Sequence, residues 1–81
     1  MADTKPIRFT RHAKNRMRWR KIAEEDVRLS VIKPDFIEKS EYGDINAWIR
    51  VSDQYLRTTY REEQDAIVVI SVVKKKSLPK E

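Results

Sequence analysis

His12, Arg16 and Arg20 stand four residues apart within FTRHAKNRMRWRKI, residues 9–22. If this segment is helical, that spacing sets the three side chains roughly along one face. Arginine presents a planar fork of donors that matches phosphate oxygens two at a time. Histidine is the side chain that most readily takes or gives a proton near neutrality. Metal-free cleavage of an RNA phosphodiester needs a base for the 2′-hydroxyl, cations around the charged transition state, and an acid for the leaving oxygen. The set has the residue types for that chemistry. With no cysteine and one histidine in the chain, neither a disulfide nor a thiolate or histidine-rich zinc site is expected, and no cofactor is implied.

Each of these residues also has a plainer reading. His12 can be a helix-start histidine bonded to backbone or carboxylate. Arg20 can pair with Glu24 one turn on, which outranks a catalytic role for it; Arg16 is the better phosphate ligand. A second group lies in QYLRTTYR, where alternation sets Tyr55, Arg57 and Thr59 on one face and Leu56, Thr58 and Tyr60 on the other. An arginine among apolar residues of a central strand is costly unless it serves a ligand or a carboxylate, so Arg57 joins His12 and Arg16 as a catalytic candidate. Tyr60 can donate a proton or stack on a base, although a tyrosine at a strand end more commonly packs. Lys74, Lys75 and Lys76 offer nonspecific attraction to phosphate. Trp48 can stack on a base or sit half-buried in the sheet. Arg16, Arg20, Tyr60 and Lys74 are therefore the nucleic-acid-binding candidates.

The elements that must hold these residues follow from periodicity. IRFT at 7–10 alternates as a short strand. From Arg11 the period is helical, with Ala13 and Met17 on the inward stripe, the stem of Arg20 beside them, and Thr10 as N-cap. That cap puts His12 in the first turn. A second helix is expected over about 24–33: Glu24, Glu25 and Asp26 suit its positive end, Val27 and Val31 its buried stripe, and Pro34 its stop. Ala23 is a poor cap for it. Beyond Pro34 the pattern is β: DFIEKSEY up to Gly43, INAWIRV, a tight turn at Ser52-Asp53, QYLRTTYR, a turn over 62–65, and AIVVISVVK. INAWIRV sets Ala47, Ile49 and Val51 opposite Trp48 and Arg50. AIVVISVVK is apolar on both faces and must be central or well covered. The expectation is an α+β domain, with two helices covering one face of three or four antiparallel strands. Met17, Val27, Val31, Ile49, Val68 and Ile70 should share the core.

Eighty-one residues support one domain, its folded part spanning about 7–76, with a basic tail over 74–81. Charge is segregated along the chain. Residues 1–21 carry eight Lys or Arg against Asp3, residues 22–73 carry six against eleven acids, and 74–81 carry four against one. If the two basic ends meet in the fold, they form a surface that attracts phosphates; if they fray, they only keep the chain in solution. No apolar run approaches the roughly 20 residues of a membrane span, and MADTKPIRF lacks the apolar core of a signal peptide. A cytoplasmic protein is expected.

The pattern His12-Ala13-x-x-Arg16-Met17-x-x-Arg20-x-Ile22, followed by Glu25-Asp26-Val27 and Pro34, resembles a widespread family of small prokaryotic domains of unknown function grouped with BrnT-like and RelE-like toxins. YLRTTYREEQDAIVVISVVKK is similar to the family's last two strands, and the likeness spans about residues 7 to 76. Ala23 stands where the family usually has Ser or Thr. The resemblance implies a RelE/barnase-type fold, with two helices on a curved antiparallel sheet. It also implies a toxin of a type II toxin–antitoxin pair, a metal-independent endoribonuclease acting on RNA, ribosome-associated or free, and regulated by a separate antitoxin. Two other functions fit the same residues: a noncatalytic nucleic-acid-binding module, and an interaction protein whose basic face meets an acidic partner.

Overall fold

Helix ends at Ile32, and from Phe36 onward every regular element is a strand, as Pro34 between them requires. The computed structural model describes residues 5–78; the end of the basic tail, 79–81, lies outside the described residues. The elements are β1 (Ile7–Phe9), α1 (Arg11–Arg20), α2 (Glu24–Ile32), β2 (Phe36–Lys39), β3 (Ile45–Val51), β4 (Gln54–Glu62) and β5 (Ile67–Lys75). This is an α+β fold. None of its described helices is long and apolar enough to cross a membrane.

The sheet has five strands in the order β1-β5-β4-β3-β2. Strands β2 to β5 form an antiparallel meander, with Val51 facing Gln54 across the two-residue turn at Ser52-Asp53. The sheet is nevertheless mixed, which corrects the expectation of purely antiparallel pairing. Ile7, Arg8 and Phe9 pair in parallel with Ile67, Val68 and Val69. A parallel pair needs a long crossover, and here everything from α1 to β4 lies between the two strands. The docking of β1 also makes β5 an interior strand.

The phase of β5 departs from simple alternation. Thr59 pairs with Ser71 but Tyr60 pairs with Val69, so Ile70 is an extra residue in the ladder. Such a bulge shifts the side-chain phase of the strand by one. Val69 and Val72 are therefore both fully buried, although three residues apart. The expected core residues Val68 and Ile70 are only half-buried, with Val68 opposite Arg61. The core joins Ala13 of α1, Ile22, and Val27 and Val31 of α2 to Ala47, Leu56, Tyr60, Val69 and Val72 of the strands; Met17 and Ile49 pack against it.

The bulge is tied to the start of α1. The Thr10 amide donates to the Val69 carbonyl at 3.0 Å, and the Thr10 hydroxyl donates to the Ile70 carbonyl at 3.2 Å. The same oxygen accepts the Ala13 amide at 3.1 Å, which is the N-cap bond. At the other end, Lys21 turns left-handed (φ 54°), and the Ile22 amide reaches the Met17 carbonyl at 2.8 Å. This six-to-one closure brings Ile22 and Met17 together on the core side. α2 starts without a side-chain cap at Ala23 and ends with the Lys33 amide on the Leu29 carbonyl.

Helix α2 meets β4 through a small polar contact inside the core. The hydroxyls of Ser30 and Thr58, both fully buried, lie 2.7 Å apart, and Ser30 also bonds the Val27 carbonyl at 2.6 Å. Because the carbonyl can only accept, the Ser30 proton goes to it, and Thr58 donates to Ser30. Both hydroxyls are thereby satisfied, which a buried position demands.

Thr10→Val should lower the free energy of unfolding by about 1–2 kcal/mol, since it removes the cap and the bond to the bulge together. Thr10→Ser should retain most of it. Urea unfolding of the three proteins measures this, and equal midpoints for wild type and Thr10→Val would show that the junction contributes nothing.

Candidate functional site

The cap at Thr10 places His12 in the first turn of α1, exposed, with Arg16 one turn further on. With Asn15 and Trp19 these residues line a shallow groove of about 210 Å³ on the helix. Trp19 is 82% exposed, and on a helix whose inward residue is Ala13 it turns a large aromatic surface outward. Its first turn carries no acidic residue and its last turn carries Arg18 and Arg20, so nothing on α1 itself offsets the cations. The groove thus puts together an imidazole, a guanidinium, an amide and an indole.

Arg57 lies elsewhere. It is on β4, facing Trp48 of β3 on one side and Val73 of β5 on the other, on the face opposite Leu56, Thr58 and Tyr60. Its guanidinium stands 5.9 Å from the centre of the Trp48 ring, a cation–π contact that holds the fork in place. Trp48 is 3% exposed yet outside the main core, so its role is to carry Arg57 and close this face. Thr59 and Asn46, on the same face, bond to each other at 2.6 Å.

Among the described residues, three buried side-chain nitrogens have no hydrogen-bond partner: Arg16 Nε, Arg57 Nε and Trp48 Nε1. The ion pairs of these residues use other cations: Lys5 with Glu62, Arg28 with Glu24, and Arg61 with Asp44. Among the described residues, neither Arg16 nor Arg57 is matched by a carboxylate. A buried donor without a partner costs about 1–3 kcal/mol, a cost that sites for ligands commonly carry.

The remaining sequence candidates separate. Arg20 is exposed and does not pair with Glu24, whose carboxylate is bound by Arg28 at 2.7 Å; the second helix presents a partner at the same spacing from its own face. Its stem is not part of the inward stripe. Tyr60 is 7% exposed and belongs to the core, which removes it from any surface that meets a polymer. Burial pushes its phenol above the ordinary value, and Glu62 adds to the shift. Lys74 is exposed and lines a different cleft, with Lys21, at the end of the sheet. No hydrogen bond among the described residues joins Arg57 to His12 or Arg16, and Arg57 does not line the α1 groove. No group of three or more metal-ligating side chains occurs among them either.

Trp19 is the functional candidate that residue-by-residue reading passed over. The signal was available: it stands three residues after Arg16 and seven after His12, so it extends their face by another turn.

A family model described as "Domain of unknown function (DUF4258)" matches residues 9–74. The chain belongs to the DUF4258 family. No curated protein and no solved structure matches it. The matched span of this DUF4258 domain begins at Phe9 and ends at Lys74, so the α1 groove, Arg57 and the bulge in β5 all lie inside it.

Tyr60 gives a pH-dependent test of the core. Its phenol is harder to ionise folded than unfolded, so its contribution to stability is complete below about pH 10 and is lost as the pH rises through the folded value. Tyr60→Phe should flatten the fall in unfolding free energy above about pH 10. Denaturation midpoints from pH 8 to 11 that fall in parallel for wild type and variant would exclude this role.

Proposed function

We propose that this DUF4258 domain is a toxin-type RNA-binding domain and a metal-independent endoribonuclease, with the α1 groove as its site. The observation that carries the reading is that Arg16, beside His12 and the exposed Trp19, has its Nε buried without a partner and meets no carboxylate among the described residues. Such a cation suits a phosphodiester, and an exposed indole one turn away suits an unstacked base. His12, next to the phosphate that Arg16 would hold, is positioned to take the 2′-hydroxyl proton and return one to the leaving oxygen. Arg20 extends the phosphate track beyond the groove.

Two helices and a five-stranded mixed sheet are compatible with a RelE/barnase-type architecture, and the pattern His12-Ala13…Arg16-Met17…Arg20 supports kinship with BrnT-like and RelE-like toxins. In that setting the domain acts in the cytoplasm on free or ribosome-bound RNA, and a cognate antitoxin, acidic or amphipathic, covers the basic helix. Fold kinship is a weaker warrant for this than the groove itself.

A second reading has its own support. His12 is the one side chain lining the groove that is suited to proton transfer. Cleavage then requires it to act as both base and acid, whereas binding requires neither. In a noncatalytic module the same arginines and Trp19 hold RNA intact.

Three variants separate these functions. Arg16→Ala should weaken binding to single-stranded RNA and lower the slope of log affinity against log salt by about one, since one phosphate contact disappears. Trp19→Ala should weaken binding by about tenfold without changing the slope. His12→Ala should leave binding nearly intact while reducing cleavage by about 10²–10⁴-fold, with 2′,3′-cyclic phosphate ends formed by wild type alone. Intact RNA recovered from a saturated wild-type complex would assign the domain to the binding module. Superimposable salt curves for wild type and folded Arg16→Ala would remove Arg16 from the interface.

A further inference from the structure

A cleft of about 270 Å³ lies between the α1–α2 turn and the β3–β4 hairpin. Its floor is apolar, with Ile22, Val51 and Leu56, and its walls bring in Asp26, Asp53 and Gln54. Lys21 and Lys74 stand on its rim. These lysines come from the two basic ends of the sequence, which the fold therefore brings to one place. Lys21 directly follows α1, so the cleft continues the helix that carries Arg16 and Arg20.

Its backbone is also unusual. Among the described residues, the non-glycine positions with left-handed φ are Lys21 (54°) and Ser52 (60°), and both line this cleft. Glycine would relieve either position: one closes a helix, the other a two-residue hairpin. Side chains kept at two strained positions around one cavity point to use of that cavity.

The chemistry narrows the ligand. Two lysines and two aspartates balance in charge, so a bare phosphate would meet as many carboxylates as amines. A molecule that is anionic at one end and carries hydrogen-bond donors on a flat, partly apolar body satisfies both. The volume is just below the roughly 300–1,000 Å³ typical of small-molecule sites, which suits one such unit and not a longer stretch of polymer. We propose that this cleft receives a single unstacked nucleotide. The phosphate lies toward Lys21 and Lys74, the base lies between Ile22 and Leu56, and its donor edge meets the aspartates and Gln54. This deepens the RNA reading and rests on it: the nucleotide is one flipped from the strand that follows α1.

The test is an amide-resolved NMR titration of the whole chain with nucleoside 5′-monophosphates and, separately, with inorganic phosphate, beside an anisotropy measurement of single-stranded RNA binding. The monophosphates should move the amides of Ile22, Ser52 and Gln54, which phosphate should leave in place. Lys74→Ala should weaken the mononucleotide about fivefold, as loss of one exposed phosphate contact. RNA that binds while the cleft amides stay still, with or without mononucleotide, overturns the cleft and leaves the α1 reading standing. Equal shifts from phosphate and nucleotide overturn it too, as a phosphate site. A mononucleotide that fills the cleft of a chain with no affinity for RNA keeps the receptor and overturns the RNA reading. Silence in both measurements overturns both.

Discussion

One threonine hydroxyl coordinates the whole arrangement. Thr10 caps α1 through the Ala13 amide and bonds the carbonyl of Ile70, the extra residue of the bulge in β5. The Ile70 carbonyl accepts from this hydroxyl, and the helix start needs an acceptor for its first amides; one side chain serves both. Around that point the phase of β5 changes, so that Val69 and Val72 both reach the core and Ala13 can seat against them. The position of His12 and Arg16 follows, since the cap sets where the helix begins and hence which way its residues turn.

Much of this was legible in the residue order. Thr10 as cap, Arg11 as first helical residue and Pro34 as barrier are local signals, and local geometry decides them. The faces of β3 and β4 were also readable, because neither strand interrupts its alternation. β5 was not, for a physical reason: a run of valines and isoleucines is apolar at every position, so nothing in it marks Ile70 as the extra residue. The parallel docking of β1 was hidden because a three-residue strand carries no signal about a partner that lies far along the chain.

The candidate site divides along the same line. His12 and Arg16 could be placed together by helical spacing alone. Whether Arg57 joined them depended on sheet topology, and it lies on β4 beside Trp48 and away from the α1 groove. Tyr60 illustrates a different limit: its alternation with Leu56 and Thr58 was clear, but its near-complete burial comes from residues distant in sequence that join it in the core. The pairing of Arg28 with Glu24, which frees Arg20, reflects two equivalent spacings between which the sequence cannot choose.

The parallel contact of β1 with β5 has a consequence for the order in which the protein is made. Thr10 and Ile70 are separated by 60 residues, and the first strand finds its partner only when the last one has been synthesised. Until then α1 has no strand to seat Ala13 against, and the bulge carbonyl that fixes Thr10 does not exist. The meander β2–β4 can pair as it emerges, whereas the basic helix waits. A nascent chain therefore carries its cationic segment unmounted until β5 has emerged. The mount for the groove of His12, Arg16 and Trp19 is complete only once β5 is in place.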